Sequence, residues 1–221
     1  ITSNSGGSTA SISYAENSTS TVTTVASSDV DSGSSATYSK SGTDAADFSI
    51  NSSSGALTFA STPNYESAAD ADENNTYIVI VTATDNGSLT DTQTITVTVT
   101  NVDDVNPVIT SNSGGSTASI SFAENTASAV TTVTSSDVDA GATAAYSISG
   151  TDAADFNINS SSGALTFKSA PNFEIPDDDG TNNEYIVIVT VTDSGNNTDT
   201  QTLTITVTDV NEAPVLTSNG G

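Results

Sequence analysis

Carboxylates recur in this sequence where apolar runs begin or stop. Glu16 lies between Ala15 and Asn17, Asp29 and Asp31 flank Val30, Glu66 follows Asn64 and Tyr65, and Asp85 precedes Asn86 and Gly87. Asp103 and Asp104 fall inside the segment Asn101-Val102-Asp103-Asp104-Val105-Asn106-Pro107. Acids set in turns beside amide side chains supply oxygen ligands, the inventory of a hard cation. Calcium takes about six to eight oxygens at roughly 2.3–2.6 Å without strict geometry. Zinc and copper favour imidazole or thiolate, and the chain has neither histidine nor cysteine. Ca2+ is therefore the expected cofactor.

The same inventory argues against catalysis. Serines lie in Gly-Ser runs with no imidazole as base. A carboxylate pair could hydrolyse a glycoside, but it needs a cleft, and these acids gather at strand ends. No catalytic residue and no enzymatic activity are expected.

Charge narrows the partners. The 221 residues contain 27 acids and two cations, Lys40 and Lys168, for a net charge of −25. Nucleic acid requires clustered cations and is not an expected partner. Such a chain repels itself until dissolved cations lower its charge. With no cysteine, any staple for a small domain must be something other than a disulfide. No apolar run reaches the roughly 20 residues needed to cross a bilayer, and no signal peptide is visible at Ile1, so the chain reads as a piece of something longer.

The elements that must position these acids are written twice. A shift of 108 positions superposes Glu16 on Glu124, Asp29 on Asp137, Asp31 on Asp139, Glu66 on Glu174 and Asp85 on Asp193 without a gap. That period exceeds solenoid repeats of about 20–50 residues and fits a whole small domain. Two modules are expected, residues 1–105 and 106–221, with 101–107 as the joint. Pro107 lacks an amide donor and restricts Asn106, so the preceding strand must end there.

Within each copy the hydrophobic period is two. Thr94 to Thr100 alternates threonine with Ile95, Val97 and Val99, and Thr202 to Thr208 does the same with Leu203, Ile205 and Val207. Tyr77 to Val81 and Tyr185 to Val189 are β-branched runs suited to a central strand. Shorter strands are expected near Ser11–Tyr14, Thr21–Ala26, Ala36–Ser39, Phe48–Ile50 and Ala56–Phe59, with a turn at Ser54-Gly55. Seven short strands per copy and no helical period predict an all-β chain of two tandem immunoglobulin-like Greek-key sandwiches.

Taken together, the motifs resemble the cadherin repeats, in particular the cadherin-like tandem modules of large bacterial adhesins and exoproteins. Ala15-Glu16-Asn17 is similar to the family's Pro-Glu-Asn turn, Asn64-Tyr65-Glu66 to its Asp-Arg-Glu, and Asp137-Val138-Asp139 to its Asp-x-Asp. Thr192-Asp193-Ser194-Gly195, the 101–107 joint and Asp209-Val210-Asn211-Glu212-Ala213-Pro214 complete the series.

The resemblance implies that Glu16, Glu66, the Val102 carbonyl, Asp103, Asp104, Asp137, Asp139 and Asp193 surround two or three calcium ions at the junction. Asn64 replaces an acid of the family motif, which weakens the outermost ion. Half-sites would remain at Asp29, Asp31 and Asp85, and at Glu124, Glu174, Asn211 and Glu212. The implied function is a calcium-stiffened extender of a secreted or surface-attached bacterial adhesin, active in adhesion and biofilm. Its partners would be neighbouring repeats of the same chain, in a monomer that does not insert into membrane. The alternative is a module that itself binds a surface polysaccharide or an identical neighbour.

Two further acidic stretches carry no such expectation. Asp44 and Asp47, with Asp152 and Asp155 in the second copy, read as solvated turns that set Phe48 and Phe156 into the core. Asp70-Ala71-Asp72-Glu73 and Asp177-Asp178-Asp179 read as solvated charge runs.

Overall fold

The computed structural model describes residues 1–31, 33–139 and 141–215. It divides into two compact units between Val102 and Asp103. Each unit is an antiparallel-rich sandwich of two sheets, with the alternating strands burying one face as their period requires.

In the first unit, β1 (Thr9–Ala15), β7 (Thr90–Thr100), β6 (Thr76–Thr84) and β3 (Thr37–Ser41) form one sheet in that order. The second sheet runs β2 (Thr23–Thr24), β5 (Ala56–Phe59), β4 (Phe48–Ile50). The pair β6–β7 is antiparallel over nine registered residues, from Thr76 opposite Thr98 to Thr84 opposite Thr90. By contrast, β1 lies parallel to β7, Thr9 opposite Thr94 through Ala15 opposite Thr100.

The second unit repeats the plan. Strands β9 (Thr117–Ala123), β16 (Thr198–Thr208), β15 (Glu184–Thr192) and β12 (Ala145–Ser149) make the four-stranded sheet, again with a parallel β9–β16 pair. Strands β10 (Ala129–Thr132), β14 (Ala164–Phe167) and β13 (Phe156–Ile158) make the other. Two very short strands, β8 (Val108–Ile109) and β11 (Ser135–Ser136), pair separately. The sequence gives no sign of them, because two residues are too few to display a period.

The core accounts for the low hydrophobic content. Ile95, Val97 and Val99 are buried while the alternating threonines face out, and Leu203, Ile205 and Val207 behave identically. Aromatic rings fill what the small aliphatic residues leave. Phe59 stacks at 4.6 Å on Phe48 and meets Tyr77 edge-on at 5.1 Å; Phe167 does the same with Phe156 at 4.2 Å and Tyr185 at 5.0 Å. Such pairs contribute about 0.5–1.5 kcal/mol beyond their buried area. None of the twelve aromatic residues is classed as exposed. The turn at Ser54-Gly55 needs its glycine twice over. Gly55 has φ +72°, and a Cβ there would lie 2.1 Å from the Val25 carbonyl oxygen.

Candidate metal centre

The loops of the second unit gather acids at both of its ends. Asp103, Asp137 and Asp193 each offer a carboxylate oxygen, and the three atoms lie within 4.8 Å of one another. Asp193 follows the end of β15, and its own turn holds it. Oδ1 accepts the Asn197 backbone N–H at 2.7 Å and Oδ2 the Asn197 side-chain amide at 2.9 Å. Burial pushes the Asp193 carboxyl up, but the hydrogen bonds from Asn197 and Gly195 and the contact with Asp103 outweigh it, and its pKa falls below the ordinary value.

Asp103 is seated by the same turn. The Asn197 side-chain amide donates to its carbonyl at 3.1 Å and the Ser194 hydroxyl to its Oδ2. A Cβ at Gly195 would lie 2.1 Å from that carbonyl oxygen, so only glycine admits the segment so closely. The next residues dock on Asp139, which is 4% exposed. Its Oδ2 accepts the N–H groups of Asp104 at 3.0 Å and Val105 at 2.8 Å. Asp137 Oδ1 in turn accepts the Asp139 N–H at 3.0 Å.

Two oxygens here have no hydrogen bond although they are shielded from solvent: Asp103 Oδ1 and Asp137 Oδ2. A buried acceptor without a partner costs about 1–3 kcal/mol, more when charged. Three carboxylates with two orphaned oxygens repel one another until a cation sits among them, and an all-oxygen donor set suits calcium.

A second group joins Glu124, Glu174 and Asp209, again with one oxygen each within 4.8 Å. Glu124 is 2% exposed, yet its carboxylate is satisfied, by the Phe173 N–H at 2.9 Å and the Val210 N–H at 2.8 Å. Those bonds lower its pKa. Glu174 is raised: a hydrogen bond from its own backbone opposes the shift, while burial and the charges of Glu124, Glu212 and Asp209 drive it. Asp209 was not among the residues expected from sequence. A signal existed, since the 108-residue shift sets it opposite Asn101, inside the joint. Asn211 and Glu212 lie outside this triad; Glu212 accepts from the Asn125 side-chain amide.

In the first unit Glu16 repeats the geometry of Glu124. It is 2% exposed, with Oε2 on the Tyr65 N–H at 2.7 Å and Oε1 on the Val102 N–H at 2.7 Å. It thereby ties the Asn64-Tyr65-Glu66 turn to the residues after β7. Glu66 is half-buried. Asn64 uses its side-chain oxygen on the Ser67 N–H at 2.7 Å, as Asn172 does on Ile175 at 2.8 Å, so both asparagines serve as turn caps.

Asp29, Asp31 and Asp85 do not close into a comparable triad among the described residues; they line an open depression of about 380 Å³. Asp29 accepts the Asp31 N–H at 2.9 Å and the Ser34 hydroxyl at 2.8 Å, which lowers its pKa. Asp85 accepts the Leu89 N–H at 2.8 Å.

Two expectations about acids need correction. Asp44 and Asp152 are each 4% exposed and not solvated; their carboxylates take the N–H groups of Ala71 and Ile78, and of Asp179 and Ile186, at 2.7–2.9 Å. Asp70 and Asp178, 3% and 2% exposed, likewise accept Asn74 and Asn75, or Asn182 and Asn183. Backbone donors hold these four charges inside. Sequence alone showed a charge run, because nothing in it reveals which loop amides converge.

A cadherin domain family model matches residues 9–100 and 118–208. The chain belongs to the cadherin family. Each unit is thus one cadherin domain, a module that typically supports calcium-dependent adhesion in extracellular proteins.

Solved cadherin structures share the fold. A Drosophila N-cadherin EC1-4 structure is 22% identical at TM-score 0.67, with 90% of this chain and 47% of that one covered. Mouse cadherin-23 EC22-24 gives 23% identity and 0.64, covering 90% and 63%. Human protocadherin-24 EC1-2 gives 21% and 0.70, covering 91% and 95%. The chain thus spans about half of the N-cadherin fragment. Curated protein sequences yield no match. Among the described residues no helix is long and apolar enough to cross a membrane.

Proposed function

We propose that these two cadherin domains are a calcium-rigidified extender of a secreted or surface-attached bacterial adhesin, a spacer and not a binding head. The observation that carries the metal reading is the Asp103–Asp137–Asp193 triad with its two orphaned oxygens. On the family resemblance, Asp104 and Asp139 with Glu16, Glu66 and the Val102 carbonyl of the first repeat complete the ligand set for two or three ions. Asp29, Asp31 and Asp85, and Glu124, Glu174 and Asp209, would serve further repeats in the same way.

The spacer reading is supported by what the surface presents. Binding hot spots draw on exposed aromatic and arginine side chains. This chain has no arginine or tryptophan, and its tyrosine and phenylalanine rings are all buried or half-buried. Two closely similar repeats with a charged, hydroxyl-rich exterior suit length better than recognition.

Small-angle scattering with millimolar calcium and with EDTA tests the proposal. The expected result is a longer maximum dimension and a narrower distance distribution with calcium. Equal dimensions in both would end the stiffening reading, and saturable binding on a glycan array with calcium would replace it with polysaccharide recognition.

A further inference from the structure

The chain's two side-chain cations occupy different sequence positions and reach the same short turn of their repeat. Lys40 lies on β3, and its counterpart 108 residues on is Ile148. Lys168 follows β14, and its counterpart is Ala60. Yet the Lys40 Nζ donates to the Ala45 carbonyl and the Lys168 Nζ to the Ala154 carbonyl. Both carbonyls belong to the equivalent 3-10 turn, Ala45–Asp47 or Ala153–Asp155, at its first residue in repeat 1 and its second in repeat 2.

That turn lies among acids. Asp44 precedes it buried, Asp47 closes it half-buried, and the buried Asp70 stands nearby; Asp152, Asp155 and Asp178 repeat the arrangement, with Asp177 added. Backbone amides saturate Asp44 and Asp70, as described above. Asp47 is left to the field of its neighbours: burial, Asp44 and Asp70 raise its pKa and Lys40 lowers it. Asp155 is raised by burial, Asp152, Asp177 and Asp178 and lowered by Lys168. The hydroxyls of Tyr77 and Tyr185 face the same acids, each accepting a loop N–H.

We propose that the 3-10 turn of each repeat is a built ammonium site, filled by one lysine that the chain supplies from either of two positions, on β3 or just after the strand that follows β4 or β13. The backbone explains why the second position serves. The Ala60 N–H donates to the Asp47 carbonyl at 2.7 Å, and the Lys168 N–H to the Asp155 carbonyl at 2.8 Å. Residue 60 or 168 is therefore hydrogen-bonded to the turn whichever repeat carries the lysine there. The charge requirement repeats even though the residue does not. A fixed ammonium brings one positive charge to this acid group without divalent metal.

The test transplants one solution into the other repeat. In the full chain with EDTA, Lys40→Ile should move the acid titration of Asp47, followed by carboxyl NMR, to higher pH and lower the melting of repeat 1 by ~3 °C. Asp155 should not move. Adding Ala60→Lys should return both readings towards the parent. An Asp47 titration that ignores Lys40→Ile, or a double variant that restores neither reading, would overturn the proposal. Should Lys40→Ile alone fail to fold, folding of the double variant supports the site and its failure overturns it. Lys168→Ala with Ile148→Lys is the mirror experiment on Asp155.

Discussion

The loops led by Asp29 and by Asp137 are counterparts 108 residues apart with the same three-residue start, Asp-Val-Asp, yet they differ in what they enclose. In repeat 1 the acids line a hollow of about 380 Å³; in repeat 2 Asp137 and Asp193 close on Asp103, and the remaining cavity beside Pro107 is about 90 Å³. Residues 103–107 enter the second hollow, held there by Ser194 and Asn197, which stand where repeat 1 has Asn86 and Leu89. That segment adds a carboxylate, accepts the Asn197 amide and donates two backbone N–H groups to Asp139 Oδ2. Loop acids alone make a wide acidic mouth. A tight oxygen cage requires the chain that enters it.

The strongest way to break this comparison is to add metal. At calcium a hundredfold above Kd, binding to the native state stabilises it by ~2.7 kcal/mol. For a domain near 100 residues that raises melting by ~10–20 °C. Calorimetry in calcium against EDTA should show most of the gain in repeat 2; equal gains in both repeats would mean the hollow at Asp29 binds as well as the triad.

Removing one ligand sharpens the point. Asp193→Ala should weaken calcium binding roughly 30-fold by titration calorimetry, because affinity follows the number of charged ligands. Asp85→Ala, its equivalent in repeat 1, should leave the tightest site unchanged.

The buried glutamates come next. Glu16→Gln replaces a carboxylate that accepts two backbone N–H groups and should cost ~2 kcal/mol in denaturant unfolding, even with EDTA present. Its counterpart Glu124 carries the pH dependence. Its folded pKa is depressed, so its contribution is present above the ordinary glutamate value of about 4.3 and disappears as pH falls through the lower folded value. Glu174 has a raised pKa, so its ionisation costs stability as pH rises through about 4.3 and beyond, until a cation offsets it. Glu174→Gln should therefore stabilise repeat 2 near neutral pH in EDTA and destabilise it in calcium.

The smallest effect contrasts two glycines. Gly195→Ala sets a methyl 2.1 Å from the Asp103 carbonyl and should weaken calcium binding a few-fold by displacing it. A Cβ at Gly87, its equivalent, meets nothing nearer than Asp85 Oδ1 at 3.3 Å, and Gly87→Ala should be close to neutral.

Much of this was legible before any coordinates. Alternation in Thr94–Thr100 and Thr202–Thr208 names the buried face residue by residue, because side chains in a strand alternate with period two. The 108-residue shift marks the copies. What stayed hidden depends on convergence: Asp44 and Asp70 look like solvated acids until the loop amides of Ala71, Ile78, Asn74 and Asn75 are seen to close on them. Asp209 was overlooked beside the more conspicuous Asn211 and Glu212, though the register pointed to it. The sites around Asp103 and Glu124 were readable only through a resemblance, since turn acids in an acidic chain are individually commonplace.

The parallel pairing of β1 with β7, and of β9 with β16, has a consequence under load. In each repeat these strands lie near the start and end of the domain, side by side and pointing the same way. A tether pulled at both ends drags them in opposite directions along their length, so the seven registered residues between Thr9 and Ala15 are sheared together and do not unzip in turn. Strength under tension would then reside in the threonine- and valine-rich ladder of each sandwich, whose paired residues include no carboxylate.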